Sequence, residues 1–145
     1  KKFKLNKILW VITKKNPLKK KPYLSLNLRI NLSKKITNKN KKIFVSYIDD
    51  KVRSAGTFNL LNYIKSKNKK SDLYFIIGAD NFVKFHKWKN WIKIPQLAKI
   101  VIFPRQNYSI RSFSSLVLKK LNKSDWIYVN AKKVNISSSL IRKSW

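Results

Sequence analysis

Three consecutive serines stand near the end of the chain, in the sequence NISSSLIR at residues 135–142. Hydroxyl groups and free backbone amides at the start of a helix favour an anion. Arg142 follows Ser138 by one helical turn, so its guanidinium can hold the same anion with two donors. The segment therefore predicts a phosphate-binding element that includes Ser137, Ser138 and Arg142. The alternative is an ordinary serine cap followed by a surface arginine.

A second segment, FIIGADNFVKFHKWKNW at residues 75–91, joins an apolar run to a glycine, a carboxylate and several aromatic rings. Gly78 would let a ligand approach closely, and Asp80 stands where a carboxylate can accept hydrogen bonds from ribose hydroxyls. An N-cap is the alternative role of Asp80. Trp88 and Trp91 have the spacing of core residues, but aromatic rings gathered around a histidine also favour stacking of a flat ring.

The composition excludes several classes of protein. A length of 145 residues, with 43% hydrophobic and 13% aromatic residues, fits one folded domain with a core. The chain has no cysteine, which excludes disulfides and thiolate metal sites. No apolar run approaches the roughly 18 residues that span a bilayer, so we expect no membrane partner.

The charge of +30, from 35 basic and 5 acidic residues, leaves two interpretations open. One is a basic nucleic-acid-binding module. The other is codon bias in an AT-rich genome, which enriches Lys, Asn and Ile in any protein. Most of the basic residues are Lys and are spread along the chain, whereas nucleic-acid readers rely on Arg. We favour the second and expect no specific nucleic-acid partner, only weak, salt-sensitive binding to polyanions.

The elements that must position these segments alternate along the chain. Apolar runs predict strands at 7–13, 42–48, 72–78, 99–103 and 125–130. Helical spacing predicts helices at 24–36, 56–65, 81–94, 112–121 and from 137 onward, the third being one helix or two that end before Pro95. This alternation predicts an α/β, Rossmann-like parallel sheet with helices on both faces. Ligands would bind beyond the carboxyl ends of the strands.

Taken together, five segments resemble bacterial nicotinate-nucleotide adenylyltransferases of the alphaproteobacterial type, over essentially the whole chain. In order they are WVITKKNPLKKKP, GTFNLLNYIK, FIIGADNFVKFHKWKNW, IVIFPR and NISSSLIR. GADN followed by FHKW is specific within the nucleotidyltransferase superfamily, whereas ISSSLIR is shared more widely. The related pantetheine-phosphate adenylyltransferase shares ISSS but lacks GADNFVKFHKW, and it is the less favoured alternative.

The resemblance implies a reaction and its partners. The phosphate of nicotinate mononucleotide would attack the α-phosphorus of ATP, giving deamido-NAD and pyrophosphate in NAD biosynthesis. Mg²⁺ would arrive with ATP, with no tightly bound cofactor and no dedicated metal site. The enzyme would be cytoplasmic, and a homo-oligomer remains open.

The resemblance also implies the site residues. The ATP-binding residues would be Gly78 and Asp80, at the adenosine ribose, with Ser137, Ser138 and Arg142. Nicotinate mononucleotide would be bound by Lys19 near its phosphate, Thr57 beside the nicotinate group, Trp88 stacked on the ring, and Arg105 flanking the site.

One feature of the family is missing from the 145 residues. Family members begin with a strand and a GSFDPxHxGH loop that binds the ATP phosphates, whereas the sole histidine here is His86, in FHKW. Methionine is also absent. We therefore expect a single nucleotidyltransferase domain that is truncated at its N-terminus, with the C-terminal helix also shortened. Catalytic residues would lie upstream of Lys1, and residues 1–145 alone would be inactive.

Overall fold

The computed structural model describes residues 3–14, 22–52, 56–106, 108 and 113–131. The chain divides into two compact units, Lys1–Leu60 and Leu61–Trp145. The helix predicted from residue 137 onward lies outside the described residues. No described helix is both long enough and apolar enough to cross a membrane.

The first unit is built on two parallel strands joined through a helix. Strand β1 (Ile8–Val11) pairs with β2 (Ile43–Ser46), and helix α1 (Leu26–Thr37) lies between them in sequence. The helix begins where the sequence provides a cap, because the Ser25 hydroxyl accepts a hydrogen bond from the Leu28 amide at 3.3 Å. A short 3₁₀ helix, Asp49–Lys51, follows β2.

The second unit contains a three-stranded parallel sheet in the order β3-β4-β5. The strands are β3 (Tyr74–Gly78), β4 (Lys99–Phe103) and β5 (Trp126–Tyr128). Helix α2 (Thr57–Lys67) precedes β3, and the division between the two units falls within it. The central strand β4 is the most buried, and its three middle residues, Ile100, Val101 and Ile102, are at most 2% exposed.

Three short helices connect β3 to β4, where one or two helices ending before Pro95 were predicted. They are α3 (Ala79–Phe82) and the 3₁₀ helices Phe85–Lys87 and Trp91–Gln96. The predicted end before Pro95 is wrong, because Pro95 lies inside the last of them. The fixed φ of proline fits a 3₁₀ turn, so Pro95 deprives the helix only of one backbone N–H donor. Asn90, with φ 55°, separates the second helix from the third.

A shorter helix than predicted precedes β5. Helix α4 spans Leu116–Lys120, within the predicted range 112–121. A one-turn 3₁₀ helix, Lys123–Asp125, then leads into β5, and its first turn is closed by a reciprocal capping box between Asn122 and Asp125.

All five predicted strands are present within their predicted ranges, and every pairing is parallel. The predicted α/β class is therefore confirmed. The described strands form a two-stranded parallel sheet in the first unit and a three-stranded parallel sheet in the second.

Candidate active site

Two opposite charges meet at the carboxyl edge of β3 and β4. The register pairs Gly78, the last residue of β3, with Phe103, the last residue of β4. Asp80 follows two residues after Gly78, in the first turn of α3, and Arg105 follows two residues after Phe103. Their side chains meet, with Arg105 Nε 3.4 Å from Asp80 Oδ1. The parallel pairing of β3 and β4 brings Asp80 and Arg105 together although they are far apart in sequence, as expected at the carboxyl edge of a parallel sheet.

Gly78 leaves room at this edge for the Asp80 side chain. A Cβ added to it would lie 2.5 Å from Asp80 Oδ1 and 3.4 Å from Arg105 Nε. Its φ of −77° is available to any residue, so backbone freedom is not the reason. The carboxylate of Asp80 fills the space over the glycine.

The environment of Asp80 suits a hydroxyl ligand. Asp80 Oδ1 is buried and has no hydrogen-bond partner among the described residues, although it forms the ion pair with Arg105. A buried acceptor without a donor is costly unless a ligand or water supplies one. The alternative role as an N-cap is wrong, since Gly78 occupies that position and no side chain caps the helix.

The aromatic residues of the 75–91 segment form one cluster around Phe85. Phe85 is fully buried and packs edge-on against Trp88, at 5.3 Å between ring centroids, and against Trp91 at 6.0 Å. Trp88 also meets Phe75 edge-on at 6.1 Å. Phe82 stacks on Phe85 at 6.0 Å. Both tryptophans are half-buried, so each contributes to the core while keeping part of its ring accessible.

Polar atoms that sequence reasoning missed also lie around this cluster and at the end of β5. The Trp88 Nε1, His86 Nδ1 and Tyr128 hydroxyl atoms are buried, and none has a hydrogen-bond partner among the described residues. Tyr128 is the last residue of β5 and pairs with Ile102, one residue before the end of β4. No sequence pattern marks a tyrosine at the end of a short strand as a residue with a buried, unpaired hydroxyl.

A second polar cluster, in the first unit, was also missed. Lys14 Nζ donates to Asp50 Oδ1 at 2.7 Å, and the Tyr47 hydroxyl donates to the same oxygen at 2.9 Å. The hydrogen bond from Lys14 is the main cause of a lowered pKa for the Asp50 carboxyl. The same bond raises the pKa of Lys14. Lys14 follows β1 and Asp50 follows β2, so this cluster also forms beyond the carboxyl ends of paired strands.

The remaining predicted site residues are placed as follows. Thr57 is half-buried and is the first residue of α2, directly after Gly56, whose φ is 127°. It belongs to the first unit, whereas Gly78, Asp80, Trp88 and Arg105 belong to the second. Lys19, Ser137, Ser138 and Arg142 lie outside the described residues. The structure thus brings together Gly78, Asp80 and Arg105. That the other predicted site residues belong to the same site stays a prediction.

No group of three or more His, Cys, Asp or Glu side chains in the described part of the chain could hold a metal ion.

A protein-family model described as cytidylyltransferase-like matches residues 1–144. The chain is 44% identical over 139 residues to the protein named "Probable nicotinate-nucleotide adenylyltransferase" of Pelagibacter ubique (strain HTCC1062), an alignment that covers 96% of this chain and 77% of the relative. It is 30% identical over 143 residues to the protein of the same name from Aquifex aeolicus (strain VF5), an alignment that covers 94% of this chain and 84% of the relative.

A solved structure agrees with these relatives. Plasmodium falciparum nicotinic acid mononucleotide adenylyltransferase complexed with NaAD superimposes with a TM-score of 0.76 at 25% identity, covering 96% of this chain and 69% of that chain. The protein therefore belongs to the cytidylyltransferase-like family and, within it, to the nicotinate-nucleotide adenylyltransferases. The resemblance seen in the sequence is confirmed, and pantetheine-phosphate adenylyltransferase is not favoured.

Proposed function

We propose that the protein transfers the adenylyl group of ATP to nicotinate mononucleotide, as a step of NAD biosynthesis. A phosphate oxygen of the mononucleotide forms a bond to the α-phosphorus of ATP. The bond from that phosphorus to the bridging oxygen of the β-phosphate breaks, and pyrophosphate leaves. The products are deamido-NAD and pyrophosphate, and no covalent enzyme intermediate is required.

The observation that carries this proposal is the Asp80–Arg105 pair beside Gly78 at the carboxyl edge of β3 and β4. The Asp80 carboxylate, whose side chain is 21% exposed, can accept a hydrogen bond from a ribose hydroxyl. A guanidinium next to it suits a phosphate. We therefore assign Asp80 to the ribose of ATP, and the adjacent Arg105 to nicotinate mononucleotide.

Trp88 supports the assignment of the second substrate. Its ring is fixed edge-on against two phenylalanines, and it is half-buried, so part of its surface remains for an aromatic ligand. We assign it to the nicotinate ring, with Thr57 beside the nicotinate group and Lys19 at the phosphate of the mononucleotide. Ser137, Ser138 and Arg142 are assigned to ATP.

Catalysis in such a reaction consists of positioning two anions in line and neutralising their charge. Mg²⁺ would accompany ATP, and its charge would balance the leaving pyrophosphate. We place the enzyme in the cytoplasm, as the resemblance to the family implies.

The proposal is tested with two proteins, residues 1–145 and the same residues preceded by a strand and a GSFDPxHxGH loop from a family member. Binding of nicotinate mononucleotide is measured by calorimetry, and turnover by the formation of deamido-NAD and pyrophosphate from ATP. We expect saturable binding by both proteins, at salt concentrations that abolish polyanion binding, and turnover only when the loop is present. Absence of mononucleotide binding in both would contradict the proposal.

A further inference from the structure

Asp80, assigned to the ribose of ATP, and Trp88, assigned to the nicotinate ring, lie in one continuous run of short turns. Asp80 belongs to α3, and Trp88 directly follows the 3₁₀ helix Phe85–Lys87. Backbone hydrogen bonds of 2.9–3.2 Å close the run, from the amides of Val83, Lys84, Lys87, Trp88 and Trp91 to the carbonyls of Ala79, Asn81, Lys84, Phe85 and Trp88, respectively. Each turn begins before or at the end of the previous one, so every residue of 79–91 lies within a hydrogen-bonded turn.

Buried rings connect the same two residues through the core. Phe82, in the same four-residue helix as Asp80, is fully buried and stacks on Phe85 at 6.0 Å with an interplanar angle of 18°. Phe85 is also fully buried, and it packs edge-on against Trp88 at 5.3 Å. Among the described residues Phe82 makes no ring contact with Trp88, so Phe85 is the link between them. Turns and close-packed rings together make 79–91 one rigid segment rather than a series of independent turns.

The distance between the two assigned residues matters for the proposed reaction. The phosphate of the mononucleotide must lie in line with the α-phosphorus of ATP. Tight binding of each substrate by itself does not ensure this alignment, because a displacement of about 1 Å between reacting groups can cost about a hundredfold in rate. A fixed separation between the ribose carboxylate and the nicotinate platform would supply the alignment.

We propose that Phe82 and Phe85 are positioning residues, which fix the separation of Asp80 from Trp88 so that ATP and nicotinate mononucleotide are aligned for transfer. The inference rests on the proposed function. Both phenylalanines are fully buried, so they act through Asp80 and Trp88 and not by contact with a substrate.

The product of the reaction is the ligand that tests this separation. Deamido-NAD would engage Asp80 with its adenosine ribose and Trp88 with its nicotinate ring at the same time, whereas each substrate engages only one of them. When two binding groups are joined in one ligand, its affinity depends on whether both sites can be reached simultaneously. A changed separation should therefore weaken binding of the product more than binding of either substrate.

The first experiment is calorimetric titration of residues 1–145 with deamido-NAD, nicotinate mononucleotide and ATP. Phe82→Leu removes the stack on Phe85 without touching Trp88, and it should raise the dissociation constant of deamido-NAD about tenfold more than that of either substrate. Phe82→Met fills the space with an adaptable side chain, should show the same pattern, and decides the matter if Phe82→Leu fails to fold. Phe113→Leu, which removes a ring that contacts Tyr128 at 4.7 Å, is the control and should bind all three ligands like wild type.

The second experiment needs no ligand and is hydrogen exchange measured by NMR. If 79–91 is one rigid segment, the amides of Val83, Lys84, Lys87 and Trp88 should open with the same free energy and the same dependence on denaturant. Phe82→Leu should lower this free energy for all four amides, including that of Trp88, with which Phe82 has no ring contact.

The outcomes separate this inference from the proposed function. Independent opening of residues 83–84 and 87–88 would overturn the positioning role. So would a Phe82→Leu protein that binds deamido-NAD like wild type, or one in which deamido-NAD and nicotinate mononucleotide are weakened equally. Failure of the wild type to bind the mononucleotide and deamido-NAD would instead contradict the proposed function, while hydrogen exchange would still decide whether 79–91 is one rigid segment.

Discussion

Asp80 Oδ1 lies 3.4 Å from Arg105 Nε, although the two residues belong to segments that follow different strands. The parallel register of β3 and β4 sets this distance, because the two strands end side by side at Gly78 and Phe103. The side chains of both residues remain partly accessible, at 21% for Asp80 and 41% for Arg105. The pair is therefore organised before a ligand arrives, yet it can still be reached by one.

Replacement of Asp80 by Asn should weaken ATP binding. The amide keeps the size of the side chain but loses the charge that makes it a strong acceptor for ribose hydroxyls and a partner for Arg105. We expect the dissociation constant of ATP to rise by about tenfold to a hundredfold. Nicotinate mononucleotide binding should change much less, and calorimetric titration of each substrate checks both values.

The control for this variant is Asp72→Asn. Asp72 precedes the amino end of the same strand and is exposed, so its replacement removes the same charge far from the carboxyl edge. Equal effects of the two variants on ATP would show that only net charge matters and that the carboxyl edge of β3 is not the ribose site.

The two glycines of the chain should give opposite phenotypes when changed to Ala. At Gly78 the new methyl group would displace the Asp80 carboxylate, since it would lie 2.5 Å from Oδ1. The backbone itself would not be strained. We expect Gly78→Ala to weaken ATP binding about as much as Asp80→Asn does, with a small change in Tm.

At Gly56 there is space for a methyl group among the described residues, because apart from the adjoining residues none of them has an atom within 4 Å of the added Cβ. Its φ of 127°, however, is a conformation that residues with a side chain rarely adopt. We expect Gly56→Ala to lower the free energy of unfolding by about 1–2 kcal/mol. Denaturant titration of both variants provides the comparison, and a Gly56→Ala protein as stable as wild type would show that backbone strain does not require glycine at this position.

The strands were predictable from the sequence because each is a short apolar run that is bounded by polar residues. KIVIF at 99–103 was placed without error, and it is the most buried strand. The 79–96 region was predicted less well. Aromatic spacing of three and four residues indicated helix, but the region consists of three short helices, with a left-handed Asn90 before the last and Pro95 inside it. Such breaks depend on tertiary packing around Phe85, which periodicity does not report.

The site could be predicted only where a motif exists. Gly78, Asp80 and Arg105 were found through GADN and FPR, and the structure brings them together. The resemblance supplied their roles, since a lone Asp after a strand is equally compatible with a cap. Asp50 was not found, because an acidic pair after a strand is an ordinary surface feature. Its partner Lys14 follows a different strand, and only the fold brings the two together.

Of the two tryptophans, only Trp88 is assigned to a substrate. The structure places both rings against Phe85, so both should contribute to stability. We expect Trp91→Ala to lower the free energy of unfolding by about 2 kcal/mol or more, without a specific effect on either substrate. We expect Trp88→Ala to lower stability as well, and in addition to weaken nicotinate mononucleotide binding relative to ATP binding.

Trp88→Phe separates these two effects. It retains an aromatic ring against Phe75 and Phe85 and removes the indole Nε1, which has no hydrogen-bond partner among the described residues. Stability should therefore be largely restored, and mononucleotide binding should recover in part, since one stacked ring contributes about 0.5–1.5 kcal/mol beyond burial. If Trp91→Ala were the variant that specifically lost mononucleotide binding, the wrong ring would have been assigned.

The Lys14–Asp50 pair should make stability depend on pH in a defined direction. The hydrogen bond from Lys14 lowers the pKa of the Asp50 carboxyl in the folded state. A carboxyl with a lowered pKa stabilises the fold above its unfolded pKa, and that stabilisation is lost as the pH falls through the lowered value. Lys14 has a raised pKa, so its contribution is complete below the unfolded pKa of lysine and disappears only at more alkaline pH.

Asp50→Asn removes this contribution, so we expect it to be less stable than wild type at neutral pH. The difference should stay constant between about pH 5 and pH 9, and shrink toward zero as the pH falls below about 4. Both side chains are more than 60% exposed, at 63% for Lys14 and 64% for Asp50, so solvent screening should keep the difference small and added salt should reduce it. Urea titrations of both proteins across this pH range measure the difference, with Asp72→Asn as the exposed control. A difference that persists at low pH would show that Asp50 acts through neutral hydrogen bonding to the Tyr47 hydroxyl rather than through its charge.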